Sequence, residues 1–185
     1  MIEQINPRAR RDAFGSKINR DHSPLLAFGL PWASILLASL TPLLPVIAPA
    51  PVLPPFAYLL LLAWRLMRPG LLPLWAGLPL GAFDDLYSGQ PFGSGILLFS
   101  LTMIGIELLD ARFPWRSFWQ DWIIAIGLIA AYLILALVIS GGRAQGAEIV
   151  ALAPQFLLSI LVFPVIARIV SLLDRLRLLR IRRLG

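Results

Sequence analysis

Six apolar segments separated by short polar turns restrict the fold of this chain more than any other feature of its sequence. About 20 predominantly apolar residues let an α-helix cross a membrane, and fewer suffice where neighbouring helices surround it. The composition, 58% hydrophobic and 14% charged, also lies outside the range of ordinary soluble domains. The sequence therefore predicts an all-α polytopic membrane protein with six transmembrane helices, at residues 25–47, 55–67, 71–86, 92–109, 122–140 and 149–173.

The second and third segments are short and rich in proline. Pro73 and Pro79 interrupt the third segment, and the second needs to begin within the preceding APAPVLPP to reach a spanning length. Kinked or broken helices are predicted here, because neighbouring helices can satisfy the carbonyls that proline leaves free. The domain organisation that follows is an N-terminal tail (1–24), one six-helix transmembrane domain (25–173) and a basic C-terminal tail (174–185).

The arginines and lysines predict the orientation of these spans. With both termini in the cytoplasm, every basic residue except Arg143 falls on the cytoplasmic side, as the positive-inside rule requires. An odd number of spans would destroy this separation. The net charge of +6 then indicates contact with anionic lipid at the cytoplasmic face, chiefly through the C-terminal DRLRLLRIRRLG, rather than binding of nucleic acid.

The residue inventory disfavours an enzyme. The chain has no cysteine, and its one histidine, His22, lies in the polar N-terminal tail. Thiol catalysis and thiolate metal sites are thereby excluded, and most histidine-dependent chemistry is disfavoured. Neither a phosphate-binding loop nor a nucleophile–base motif is present. We therefore expect no catalytic residues, no cofactor and no metal.

The stretch GAFDDLYSGQPFG, residues 81–93, places two carboxylates at the end of the third apolar segment. Gly77 and Gly81 form a GxxxG pair that lets another helix approach closely, and we expect a partner protein's helix to pack there. Asp85 follows four residues later, on the same helix face. Asp84 is rotated from it by about 100° and is expected to be solvated.

Two interpretations of Asp85 remain open at this stage. In the first, it fastens the following turn by accepting hydrogen bonds from the N–H groups of Tyr87, Ser88 or Gly89. Gly89 and Gly93 would then adopt positive φ angles, and Pro91 would fix its own φ. In the second, Asp85 pairs with a partner chain, because ionisable groups within membranes mark functional sites by default.

The same stretch resembles the signature of a known family. Gly81-Ala82, Asp85-Leu86, Ser88-Gly89 and Phe92-Gly93 follow in the order of the G-A-x-x-D-L-x-S-G-x-x-L-G motif of the bacterial rod shape-determining protein MreD. Phe92 stands where that family commonly has Leu. Upstream, Pro55, Trp64 and Pro69 also match its pattern. The resemblance singles out a structural and partner motif formed by Gly77, Gly81, Asp85, Ser88, Gly89, Pro91 and Gly93.

The resemblance implies a non-enzymatic inner-membrane component of the bacterial elongasome. Members of this family bind the single-span protein MreC and assemble with MreB, RodA and a penicillin-binding transpeptidase to control cell shape and lateral peptidoglycan synthesis. Their fold is similar to that of the substrate-binding S components of energy-coupling-factor vitamin transporters, so vitamin binding is the alternative function. The A-x-x-x-A pattern of those components is absent from the first segment, where Ala33 and Ala38 are five residues apart.

Overall fold

In the part of the chain that the structure describes, six α-helices follow the six apolar segments one for one. The computed structural model describes residues 20–22, 24–44, 53–113, 117–142, 146–177 and 180–182. The predicted helical class is confirmed. The helices are α1 Pro24–Ala38, α2 Phe56–Met67, α3 Gly77–Asp85, α4 Ser94–Arg112, α5 Phe118–Ile139 and α6 Gly146–Arg177.

The proline-rich third segment is shorter as a helix than as an apolar run. Its first residues form a 3-10 turn, Leu74–Ala76, and α3 proper begins at Gly77. Pro79 lies in the first turn of α3, where an N–H group has no partner within the helix and its loss costs little. A second 3-10 turn, Thr41–Leu43, follows α1.

Two three-residue strands pair the segment before the first helix with the segment after the last helix. Strand β1, Arg20–His22, pairs antiparallel with β2, Arg180–Arg182, so that Asp21 lies opposite Ile181. Within the described residues, these two strands depart from the predicted all-helical fold. Most of the predicted N-terminal tail lies outside the described residues, and α6 continues to Arg177, beyond the predicted boundary at residue 173.

Helix α2 occupies the centre of the bundle. Nine of its 12 residues are buried, and it contacts α1, α4, α5 and α6. The polar groups on α2 find partners inside the protein. The Tyr58 hydroxyl donates to the Leu128 carbonyl at 3.0 Å and lies 3.0 Å from the Thr102 hydroxyl. The Trp64 indole N–H donates to the Ser34 hydroxyl.

The longest helices carry the apolar surface of the molecule. Within the described residues, α4, α5 and α6 are long and apolar enough to cross a membrane, whereas the apolar stretches Phe28–Leu43 and Phe56–Met67 are shorter. Apolar side chains exposed on α4 recur at helical spacing, as expected of a face that meets lipid: Leu97, Leu101, Ile104 and Leu108. The protein is therefore a helical membrane protein, and the count of six complete spans stays a prediction.

Contacts between helix ends fix the helix directions. The last turns of α2, α4 and α6 meet through ion pairs at one end of the bundle, which we call the arginine end. The last residue of α3, Asp85, contacts the first turn of α4 at the opposite end, which we call the aspartate end. Helices α3 and α4 therefore form an antiparallel hairpin with its turn at the aspartate end.

Candidate functional site: the α3–α4 hairpin

The carboxylate of Asp85 binds the exposed N–H groups at the beginning of α4. Its Oδ1 accepts the backbone N–H of Gly95 at 2.6 Å and the Ser94 hydroxyl at 3.2 Å. Its Oδ2 accepts the N–H of Gly93 at 2.8 Å and that of Ile96 at 3.3 Å. Asp85 thus caps a helix to which it does not belong, and only 6% of its surface is exposed.

This capping arrangement explains how a carboxylate is tolerated at the end of an apolar helix. The C-terminus of α3 disfavours an anion, but the N-terminus of α4 carries partial positive charge and unpaired N–H donors. The predicted donors were wrong, because the N–H groups of Tyr87 and Ser88 bond to the backbone carbonyl of Asp84 instead. The donors to Asp85 come from the next helix, 8–11 residues further along the chain.

The two glycines of α3 permit the close approach of α4. A Cβ atom built on Gly81 would collide with the carbonyl of Gly95, and one built on Gly77 would lie 2.8 Å from the Cα of Ser100. Both obstacles are backbone atoms, which cannot move aside easily. The helix that packs on the GxxxG face is therefore α4 of the same chain, and the face assigned to a partner helix is already covered.

The turn between the two helices depends on glycine. Gly89 and Gly93 adopt φ angles of 70° and 101°, in the left-handed region that side chains disfavour. Pro91 lies between them, and its carbonyl accepts the N–H of Ser94 at 3.0 Å. The Ser88 hydroxyl accepts the N–H of Gln90 at 3.4 Å. The seven residues of the motif thus fall within one hairpin, at its packed face, its cap and its turn.

Asp84 is buried, and the expectation that it would be solvated was wrong. Only 8% of its surface is exposed, because α1 and α5 pack against this side of the hairpin. Ser39, which follows α1, lies close to the Asp84 carboxylate, and the Ser39 hydroxyl donates to the Ile35 carbonyl at 3.4 Å. Tyr132 of α5 also lies close to Asp84, and Gln90 of the hairpin turn lies close to Tyr132.

A second polar cluster, at the arginine end, was missed by the sequence analysis, which placed its arginines on the cytoplasmic side and assigned them no partner within the chain. Arg65 is buried inside the bundle and pairs with Glu107, and its Nη1 lies 3.5 Å from Asp110 Oδ2. Arg68 and Arg177 both bind the carboxylate of Asp174, with their Nε atoms at 2.8 and 2.7 Å. Opposite charges near the ends of the second, fourth and sixth apolar segments were the signal available in the sequence.

The fold and the hairpin define a polytopic helical membrane protein organised around a buried aspartate cap. Comparison with family models extends this classification, since the model described as rod shape-determining protein MreD matches residues 25–177. The chain belongs to the MreD family. No curated protein and no solved structure matches it.

Proposed function

We propose that the protein is a non-enzymatic component of the bacterial elongasome, resident in the inner membrane. In this proposal it binds a single-span MreC-like protein and, together with MreB, RodA and a penicillin-binding transpeptidase, helps to control lateral peptidoglycan synthesis. Family membership supports this assignment, since the family model spans all six helices from the first turn of α1 to the last residue of α6.

The hydrogen bonding of the Asp85 carboxylate is the observation that favours a structural role over a chemical one. An ionised carboxylate has about four acceptor positions, two on each oxygen. Four donors, from Gly93 to Ile96, already fill them. No position is left for a substrate or for a partner's side chain, so the family motif supports a role in building a rigid hairpin.

The proposal places both termini in the cytoplasm and the hairpin turn on the periplasmic side. The pairing of β1 with β2 supports it, because it holds residues 20–22, before the first helix, next to residues 180–182, after the last. The arginine end then faces the cytoplasm, in agreement with the distribution of basic residues. Since α4 covers the glycine face of α3, we expect a partner helix to use the exposed apolar faces of the longer helices.

Vitamin transport is the less favoured function. We include in the proposal the S-component-like architecture that the family resemblance implies. That architecture does not by itself make a vitamin site, because such a site needs several convergent polar groups. A cavity of about 210 Å³ between α5 and α6 is lined by apolar side chains alone. Its lining residues are Ala130, Leu133, Ile134, Ile149, Leu152, Ala153 and Phe156. Such a lining suits lipid or an apolar helix better than a water-soluble vitamin.

Co-purification tests the proposal. The tagged protein is co-expressed with the MreC-like protein of the same bacterium, extracted in mild detergent and captured, with an unrelated single-span protein as the control. We expect the MreC-like protein to be retained through gel filtration and the control to be lost. The Asp85→Ala variant should also fail to restore rod shape in a strain lacking the native protein. Equal recovery of both single-span proteins would contradict the assignment.

A further inference from the structure

Two arginines share one exposed face of α6 near the arginine end. Arg168 and Arg175 are seven residues apart, which places them on the same side of the helix and about 10 Å apart along its axis. Leu172 lies between them and is 58% exposed, and Ile169 and Leu176 border the same surface. The surface therefore combines two cations with apolar side chains that face outward from the bundle.

Arg168 and Arg175 differ in their partners from Arg65, Arg68 and Arg177 of the same helix bundle. Arg65 pairs with Glu107 and Asp110, and Asp174 holds both Arg68 and Arg177. Within the described part of the chain, Arg168 and Arg175 have no ion pair with a carboxylate. Among the described residues, the carboxylates of Glu107, Asp110 and Asp174 at this end are engaged by other arginines, and none of them supplies a counter-ion to Arg168 or Arg175.

The depth of Arg168 makes an external counter-ion necessary. It lies inside the sixth apolar segment, about 8 Å from the predicted end of that segment at residue 173. A guanidinium group on the lipid-facing side is strongly unfavourable unless it reaches the interface and finds an anion. Its long side chain can extend towards the interface, where the anion available is a lipid phosphate. Arginine binds phosphate through two parallel hydrogen bonds, which favours this pairing further.

We propose that Arg168 and Arg175 form a binding site for the phosphodiester headgroup of an anionic phospholipid. The guanidinium groups bind the phosphate, and the acyl chains lie along Ile169, Leu172 and Leu176. The net charge of the chain, +6, favours an anionic over a zwitterionic lipid. Only the orientation of this site, in the cytoplasmic leaflet, rests on the proposed function. The binding of the lipid itself requires no partner protein.

Lipid titration of the purified protein tests this site. The delipidated full-length protein, in an uncharged detergent, is titrated with phosphatidylglycerol, and bound lipid is counted by native mass spectrometry. Arg168→Gln and Arg175→Gln should each weaken binding about fivefold, from the attraction that one arginine contributes at an anionic surface. The lysine variants keep the charge and should lose less. Arg112→Gln, which removes an exposed arginine at the end of α4, is the matched control and should bind like the wild type.

Further arms of the titration separate the possible sources of the anion. Phosphatidylcholine should bind weakly, and millimolar inorganic phosphate should leave bound phosphatidylglycerol in place, because it lacks acyl chains. Equal effects of Arg112→Gln and Arg168→Gln, or equal binding of the two lipids, would overturn the site. So would unchanged lipid binding in the double glutamine variant. Because no partner protein is present, failure here is distinguishable from failure of the proposed function.

Discussion

The backbone N–H of Gly95 donates to the Oδ1 of Asp85 at 2.6 Å, across the boundary between two helices. This bond links the C-terminus of the short helix α3 to the N-terminus of the long helix α4. Because the Gly81 and Gly95 backbones also touch, polar capping and close packing act at the same point. The hairpin is therefore held by the two kinds of residue, glycine and aspartate, that the family motif contains.

Replacement of Asp85 should destabilise the protein even when the side-chain shape is kept. Asp85→Ala leaves several N–H donors unsatisfied and should lower the free energy of unfolding by about 2–3 kcal/mol. Asp85→Asn keeps one acceptor oxygen but turns an NH₂ group towards donors, so we expect a loss of about 1–2 kcal/mol. Thermal unfolding in detergent measures both variants.

Ser88→Ala is the control for these replacements. Ser88 lies in the same turn, but its hydroxyl accepts only one long hydrogen bond, at 3.4 Å. We expect it to unfold within about 0.5 kcal/mol of the wild type. If Asp85→Asn also unfolds like the wild type, the cap does not depend on both carboxylate oxygens.

Alanine at Gly81 should be far more damaging than alanine at Gly105. At Gly81 the added methyl group meets the backbone of α4, so the helices must separate, at a cost of about 1–3 kcal/mol or more. At Gly105, within α4, nothing lies within 4 Å of the added atom. There alanine should be neutral or should stabilise the protein by up to about 1 kcal/mol, since it is the better helix former. Equal unfolding temperatures of the two variants would contradict the close packing of α3 on α4.

Arg65 and Glu107 should be energetically coupled. Arg65 is buried, whereas the side chain of Glu107 is 58% exposed, so solvent screens part of their attraction. A double-mutant cycle with Arg65→Ala and Glu107→Ala should give a coupling of about 1 kcal/mol. The same cycle with Arg112→Ala in place of Arg65→Ala supplies the baseline for non-specific charge effects. A coupling no larger than that baseline would show that Asp110 alone holds Arg65.

Reporter fusions test the orientation of the spans. A reporter that is active only in the periplasm should give signal after Pro51, Gln90 and Gly142, which follow the first, third and fifth apolar segments. It should remain silent after Arg68, Arg116 and Arg183. We expect this pattern because segments rich in basic residues stay in the cytoplasm, according to the positive-inside rule. Periplasmic activity of the fusion after Arg183 would refute an even number of spans.

The helical class and the order of the helices were predictable from the sequence because hydrophobic segments are local signals. The bounds of α3 were less predictable, since the 3-10 turn at Leu74–Ala76 takes up part of the apolar run. That Asp85 has a partner was also predictable, from its unfavourable position at a helix C-terminus. Its donors were not, because Gly93 to Ile96 reach it only once α4 folds back against α3.

The positions of Asp84 and Arg65 could not be derived from their neighbours in the sequence. Asp84 is buried because α1 and α5, distant in sequence, pack against the hairpin. Arg65 stands near the end of an apolar run, where an interfacial position is the ordinary expectation. Its burial follows from the central position of α2, which no local pattern of residues reveals. Tertiary packing thus decides which charged residues are buried inside the bundle and which lie at the membrane–water interface.

The central position of α2 has a consequence for how the protein is made. With 12 residues α2 is about 18 Å long, too short for a hydrocarbon core of about 30 Å, and its last turn carries a buried cation. As an isolated segment it would be a poor substrate for the insertion machinery. We expect its stable insertion to depend on α4, because α4 supplies Glu107, the partner of Arg65. Helix α2 would then enter the bilayer together with helices that are synthesised after it, and not as a single segment.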